Sequence, residues 1–66
     1  MQVTVNSKIQ EMPAGSTVSD LLNSLQLAGK RIAVEMNGEI VPKSRHASTP
    51  LEPGAQLEIV VAVGGG

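Results

Sequence analysis

Three consecutive glycines, Gly64, Gly65 and Gly66, follow directly on the strand-like run Leu57-Glu58-Ile59-Val60-Val61-Ala62-Val63. The reactive group this places at the end of the chain is the α-carboxylate of Gly66, carried on a stalk that has no side chains. Glycine loses the most backbone freedom on ordering and has nothing to bury, so a glycine-only tail adds little to a fold. Three extended residues reach roughly 10 Å, enough to pass through a narrow channel into the active site of another protein. A frayed terminus is the plainer explanation, but frayed ends are usually mixed polar segments. The pattern favours a functional, flexible tail over residues 64–66.

No other constellation suggests chemistry within the chain. His46 is the only histidine and stands in a polar loop between Arg45 and Ala47, without Cys or a second His to join it. It reads as a surface residue rather than a base or metal ligand. The six carboxylates are scattered singly, and no glycine-rich loop opens a helix to cradle a phosphate. Lys30-Arg31 and the Lys43 to Arg45 segment are short basic groups. They read as a solvated rim, with an electrostatic guide for a partner as the alternative.

Composition narrows the classes further. Sixty-six residues make one small domain, 1–66, near the lower size limit for folding without staples, and there is no Cys to supply one. Stability must come from the apolar 41% of the chain, nearly all Val, Leu, Ile and Ala. The absence of Phe, Tyr and Trp removes the stacking platforms of single-stranded nucleic-acid binders. A net charge of −1 argues against a phosphate-backbone partner. No apolar run approaches membrane-spanning length, and the N-terminus enters strand-like alternation at once, unlike a signal peptide. The expectation is a cytoplasmic protein with neither nucleic acid nor membrane as partner.

The elements that must hold the tail can be read from periodicity. Met1 to Asn6 alternates apolar and polar, Asn6-Ser7-Lys8 is a turn, and Ile9 to Met12 is a short second strand. Pro13 to Ser16 is a loop. Thr17 is the N-cap of a helix, with Asp20 completing a capping box in place of Glu. Val18, Leu21, Leu22 and Leu25 form its apolar face, and burial contributes roughly 1.5–3 kcal/mol for each such side chain. Gly29 is placed to end the helix as its C′ residue. Ile32 to Met36 alternates again, Asn37-Gly38 predicts a type I′ hairpin turn, and Pro42 confines the return strand Glu39 to Val41 to an edge. Lys43 to Ala55 is irregular, with Leu51 as its buried anchor. The last strand begins near Gln56.

This order gives an α+β layout, a mixed sheet of four to five strands with one main helix packed on one face. The final strand can then lie beside the first, in parallel, at the centre of the sheet, which explains its apolar character. Leu57, Ile59, Val61 and Val63 should face the helix, and Glu58, Val60 and Ala62 the other side. If that side is open, Val60 and Ala62 form a small apolar docking surface beside the tail. The alternative is that Met12 or Leu51 covers them.

With these segments in place, the whole chain resembles a ThiS-type sulfur carrier of thiamine biosynthesis. The resemblance rests on Gly15-Ser16-Thr17-Val18 leading to Leu21-Leu22, on Ile32-Ala33-Val34-Glu35-Met36-Asn37-Gly38-Glu39-Ile40-Val41-Pro42, on Thr49-Pro50-Leu51, and on Leu57-Glu58-Ile59-Val60 with the glycine end. Terminal glycines alone would be unspecific, because ubiquitin-like modifiers and molybdopterin-synthase small subunits share them. The resemblance implies a β-grasp (ubiquitin-like) fold. It also implies that Gly66 is the site of covalent AMP and sulfur attachment, with Gly64 and Gly65 threading into partner sites where a Cβ would clash.

The implied partners are a ThiF-type adenylyltransferase that spends ATP on the Gly66 carboxylate, a cysteine desulfurase or related persulfide donor, and thiazole synthase. Thiazole synthase would take the sulfur from a Gly66 thiocarboxylate into a thiazole phosphate ring, together with deoxyxylulose phosphate and a glycine-derived imine. No cofactor is expected to be bound, and the chain itself would be a co-substrate rather than an enzyme. Three alternatives stay open at this point: a carrier for molybdopterin synthesis or tRNA thiolation, a modifier conjugated to lysines through Gly66, and a plain interaction domain.

Overall fold

A computed structural model describes residues 1–62. The sequence readings at Val63, Gly64, Gly65 and Gly66 lie outside the described residues. The elements follow in the order β1 (Gln2–Val5), β2 (Lys8–Glu11), α1 (Val18–Ser24), β3 (Ile32–Met36), β4 (Glu39–Val41), a 3-10 turn (Lys43–Arg45) and β5 (Gln56–Val61). The sheet order is β2-β1-β5-β3-β4. β1 and β5 are parallel, and the other neighbouring pairs are antiparallel. This is the mixed sheet expected from the element order, with the final strand at its centre, and it matches the β-grasp fold that the resemblance implies.

Register explains the core. Val5, Leu57 and Met36 lie abreast across three strands, and so do Ile59, Val34 and Val41. These rows share one face because side chains alternate along a strand. Val18, Leu21 and Leu22 of α1 complete the buried cluster with Val3, Met12, Leu51 and Ala55. Leu21 and Val18 are fully buried, while Leu25 and Leu27 are half-buried at its margin.

The first hairpin turns more tightly than the sequence suggests. Val5 pairs with Lys8, so the turn is Asn6-Ser7 alone, and the second strand begins one residue earlier than expected. Both turn residues take positive φ, 49° and 71°, as a type I′ turn requires. The second hairpin follows the prediction, with φ of 53° at Asn37 and 86° at Gly38. Pro42 directly follows β4, which lies at the sheet edge. Having no N–H, it cannot extend the ladder.

The capping box at the start of α1 is complete: Thr17 N–H donates to Asp20 Oδ2 at 2.9 Å, and Asp20 N–H donates to Thr17 Oγ1 at 3.2 Å. The other end differs from expectation. The helix stops at Ser24 with Leu25 as C-cap, five residues before Gly29. Gln26, at φ 60°, takes the left-handed position. Leu27 N–H donates to the Leu22 carbonyl at 2.8 Å and Gln26 N–H to the Asn23 carbonyl at 3.0 Å, which together make a Schellman motif. Gly29, at φ 83°, serves a second turn closed by Lys30 N–H to the Leu27 carbonyl.

The segment expected to be irregular also carries structure. Residues 43–45 form the 3-10 turn, and Thr17 bridges Pro50. Leu51 is buried as expected, at 4% exposure.

Candidate functional site

The residues singled out on the last strand are placed by β5, which is paired on both sides. On one side Asn6 N–H donates to the Leu57 carbonyl, and on the other Ala33 and Val60 face each other in the β3 register. Beyond the strand, Ala62 N–H donates to the Arg31 carbonyl at 2.9 Å. The backbone is therefore held up to the residue that precedes Val63.

Glu58, Val60 and Ala62 are all exposed on the face away from α1, and Val60 is 64% exposed. The alternative that Met12 or Leu51 covers this face does not hold, because both side chains are buried in the core cluster on the opposite face. Val60 and Ala62 are open. Val61, expected to face the helix and be covered, is 40% exposed. It lines a shallow hollow with Leu25 and Leu27, past the last turn of α1.

Register adds residues that the sequence reading did not assign to this face. Glu58 stands opposite Glu35, which stands opposite Ile40, and Val60 stands opposite Ala33. Ile40 is 65% exposed. The open face therefore joins an apolar strip, Val60 with Ala33 and Ala62, to a cross-strand pair of carboxylates with Ile40 at the edge. Like charges directly opposite one another weaken a sheet, and exposed β-branched side chains gain nothing from burial in the free chain. The exposed apolar strip suits a surface that another molecule covers. The signal for Ala33 and Glu35 was present, since they alternate with Ile32, Val34 and Met36. Placing Ile40 beside them required the register.

His46 requires a correction. It is not a surface residue: it is 7% exposed, at the end of the 3-10 turn. Its Nε2 lies 3.0 Å from the Val41 carbonyl. A carbonyl can only accept, so Nε2 carries the proton. The backbone carbonyl of His46 also accepts from Ser19 N–H at 2.9 Å. The residue thus ties β4 to the first turn of α1. Its flanking polar residues concealed this, because burial here comes from the turn geometry and not from local hydrophobicity. Among the described residues no group of three or more His, Asp or Glu side chains could hold a metal ion.

Of the two basic groups, Lys30, Arg31 and Lys43 come together around one groove, while Arg45 lies outside it. The attachment site Gly66 and the threading residues Gly64 and Gly65 lie outside the described residues.

Known proteins share both the sequence and the fold. The model of the ThiS family matches residues 2–66. A sulfur carrier protein ThiS from Escherichia coli is 30% identical over 66 residues, all of each chain. A thiazole synthase from Paramagnetospirillum magneticum is 41% identical over the whole of this chain, which spans 20% of that relative's length. The crystal structure of a ThiS thiamine biosynthesis protein from Geobacter metallireducens superposes with a TM-score of 0.83 at 30% identity, covering all of both chains.

Proposed function

The chain belongs to the ThiS family, and from that premise we propose that it is a sulfur carrier of thiamine biosynthesis whose Gly66 carboxylate is activated and converted to a thiocarboxylate. The observation that carries this reading is the placement of β5. The central strand of the sheet ends at Val61 with its backbone held through Ala62, and its outer side chains Val60 and Ala62 are uncovered. A partner that covers that face reaches Ala62, the last described residue, from which the chain runs on to Gly66.

The chemistry follows from what a carboxylate lacks. It is a poor electrophile, so a Gly66 oxygen attacks the α-phosphorus of ATP on a ThiF-type enzyme, and pyrophosphate leaves. The terminal sulfur of a persulfide, on a cysteine desulfurase or related donor, then attacks the acyl carbon, and AMP leaves. A thiol cleaves the resulting S–S bond, becoming a disulfide and leaving the thiocarboxylate on Gly66. The chain has no Cys to compete for the sulfur. Thiazole synthase is the proposed acceptor, a reading supported by the relative of that name that contains a similar stretch.

In this scheme the chain is a co-substrate with no bound cofactor, working in the cytoplasm. Among the described residues no helix is long and apolar enough to cross a membrane.

The test is an intact-mass spectrum after incubation with an adenylating enzyme of the ThiF type, ATP and a persulfide donor. Replacement of one oxygen by sulfur, mapped to Gly66, is the expected result. An unchanged mass, with the same enzyme active on another carrier, would overturn the reading, and an isopeptide to lysine would favour a modifier.

A further inference from the structure

β4 ends at Val41, opposite Val34, and Pro42 cannot donate a further ladder bond. Ile32 and Ala33, at the start of β3, therefore have no strand on that side. A groove of about 370 Å³ occupies this open edge, between β3, the connection from α1 and the 3-10 turn. Its apolar surface comes from Leu27, Ala28 and Ile32 among others, and its charged groups are Lys30, Arg31 and Lys43. All three cations are exposed, and among the described residues no carboxylate lines the groove.

This distribution is uneven for a chain with five basic and six acidic residues and a net charge of −1. Three of the five cations surround one apolar groove. The groove also shares Val60 and Ala62 with the open face described above. It is thus continuous with the open face, around the edge of β3.

We propose that this groove is a second docking element for the adenylating enzyme, and that it receives an acidic surface of that enzyme carrying an apolar side chain. The inference rests on the proposed function and adds the chemistry of the partner. An acidic occupant follows from charge complementarity, since among the described residues three cations line the groove and no carboxylate does. A protein occupant follows from continuity: whatever covers Val60 and Ala62 extends over the groove. The adenylating enzyme is the partner because activation comes first in the sequence of steps. That encounter is between separate molecules, so steering by complementary charge raises its rate.

The test is stopped-flow association of the full chain with the adenylating enzyme, at low salt and near 1 M salt, where screening acts within about 3 Å. Lys30→Glu, Arg31→Glu and Lys43→Glu are compared with Lys8→Glu, which makes the same change in net charge on the far edge strand β2. The expected result is a several-fold slower association for each groove variant at low salt, a smaller effect for Lys8→Glu, and convergence of all four at high salt. Ala28→Trp, which fills the groove from an exposed loop position, should speed dissociation at every salt concentration.

Equal slowing by all four charge variants would show a net-charge effect and overturn the inference. So would an unchanged dissociation rate for Ala28→Trp, or self-association of the free chain that Ala28→Trp abolishes. If the wild-type chain acquires sulfur while the four variants associate alike, only this inference fails. If the wild-type chain acquires none, the proposed function fails instead.

Discussion

The side-chain amide of Asn6 pairs with both backbone groups of Ile59. Oδ1 accepts the Ile59 N–H at 2.8 Å, and Nδ2 donates to the Ile59 carbonyl at 3.0 Å. β1 stops at Val5, so a side chain continues the ladder that the backbone has left. Asn37 does the same from the other hairpin: its N–H donates to the Gln56 carbonyl at 2.7 Å, and its Oδ1 accepts Gln56 N–H at 3.0 Å. Both asparagines sit at positive φ, which Asn tolerates better than most residues. The central strand is thus fastened at its first residue and again at Ile59 by the two turns.

Asn6→Ala should therefore cost more than an ordinary surface substitution. Two hydrogen bonds at about 0.5–1.5 kcal/mol each, together with a residue less suited to positive φ, give a loss of about 2 kcal/mol. In a domain of this size each kcal/mol shifts the thermal midpoint by about 4–8 °C. A thermal melt followed by circular dichroism checks this, and a midpoint within 2 °C of wild type, at most about half a kcal/mol, would show that the clamp contributes far less than its two hydrogen bonds imply.

How much of this was legible in the sequence depends on the range of the interaction. The capping box of Thr17 and Asp20, the Asn37-Gly38 turn, the edge strand before Pro42 and the Leu51 anchor are all written in residues within a few positions of one another. The centrality of β5 was legible from its mostly apolar run, interrupted only by Glu58. The Asn6 clamp was not, because its partner lies 53 residues away and nothing local marks an asparagine as a substitute for backbone. The helix end was misplaced because Gln26, not a glycine, takes the left-handed position, and the tertiary contacts of Leu25 and Leu27 override that preference. On the open face, Val60 and Ala62 could be assigned by alternation, whereas Glu35 beside Glu58 and the gathering of Lys30, Arg31 and Lys43 needed the folded topology.

His46→Leu keeps an apolar body in the site but removes the donor to Val41. A buried carbonyl left unpaired costs about 1–3 kcal/mol, and the 3-10 turn loses its tie to β4. Urea denaturation should show a lower midpoint with an unchanged slope. An unaltered midpoint would mean that water satisfies Val41 without penalty, and that His46 is buried for its bulk alone.

Gly65→Val separates the tail from the fold. The substitution puts a branched isopropyl group on a stalk that otherwise has no side chains. The thermal midpoint should remain that of wild type, while formation of the Gly66 adenylate, followed by pyrophosphate release, should be abolished. If pyrophosphate is released at the wild-type rate, the channel that takes the tail is wide enough for a branched side chain, and the argument from slimness fails.

Val60→Arg tests the open face itself. Val60 is 64% exposed, opposite Ala33, with no core contact to lose. Stability should change by less than about 1 kcal/mol, the span of strand propensities. If a partner covers this strip, the same substitution buries an unpaired guanidinium against an apolar surface and should weaken binding by at least tenfold, about 1.4 kcal/mol. Calorimetric titration against the adenylating enzyme and against thiazole synthase reads this directly. Loss with both partners would mean that each covers the same strip in turn, so that the carrier must leave one before it meets the other. Loss with one alone would show that the two read different faces, and wild-type affinity for both would remove Val60 from the docking surface.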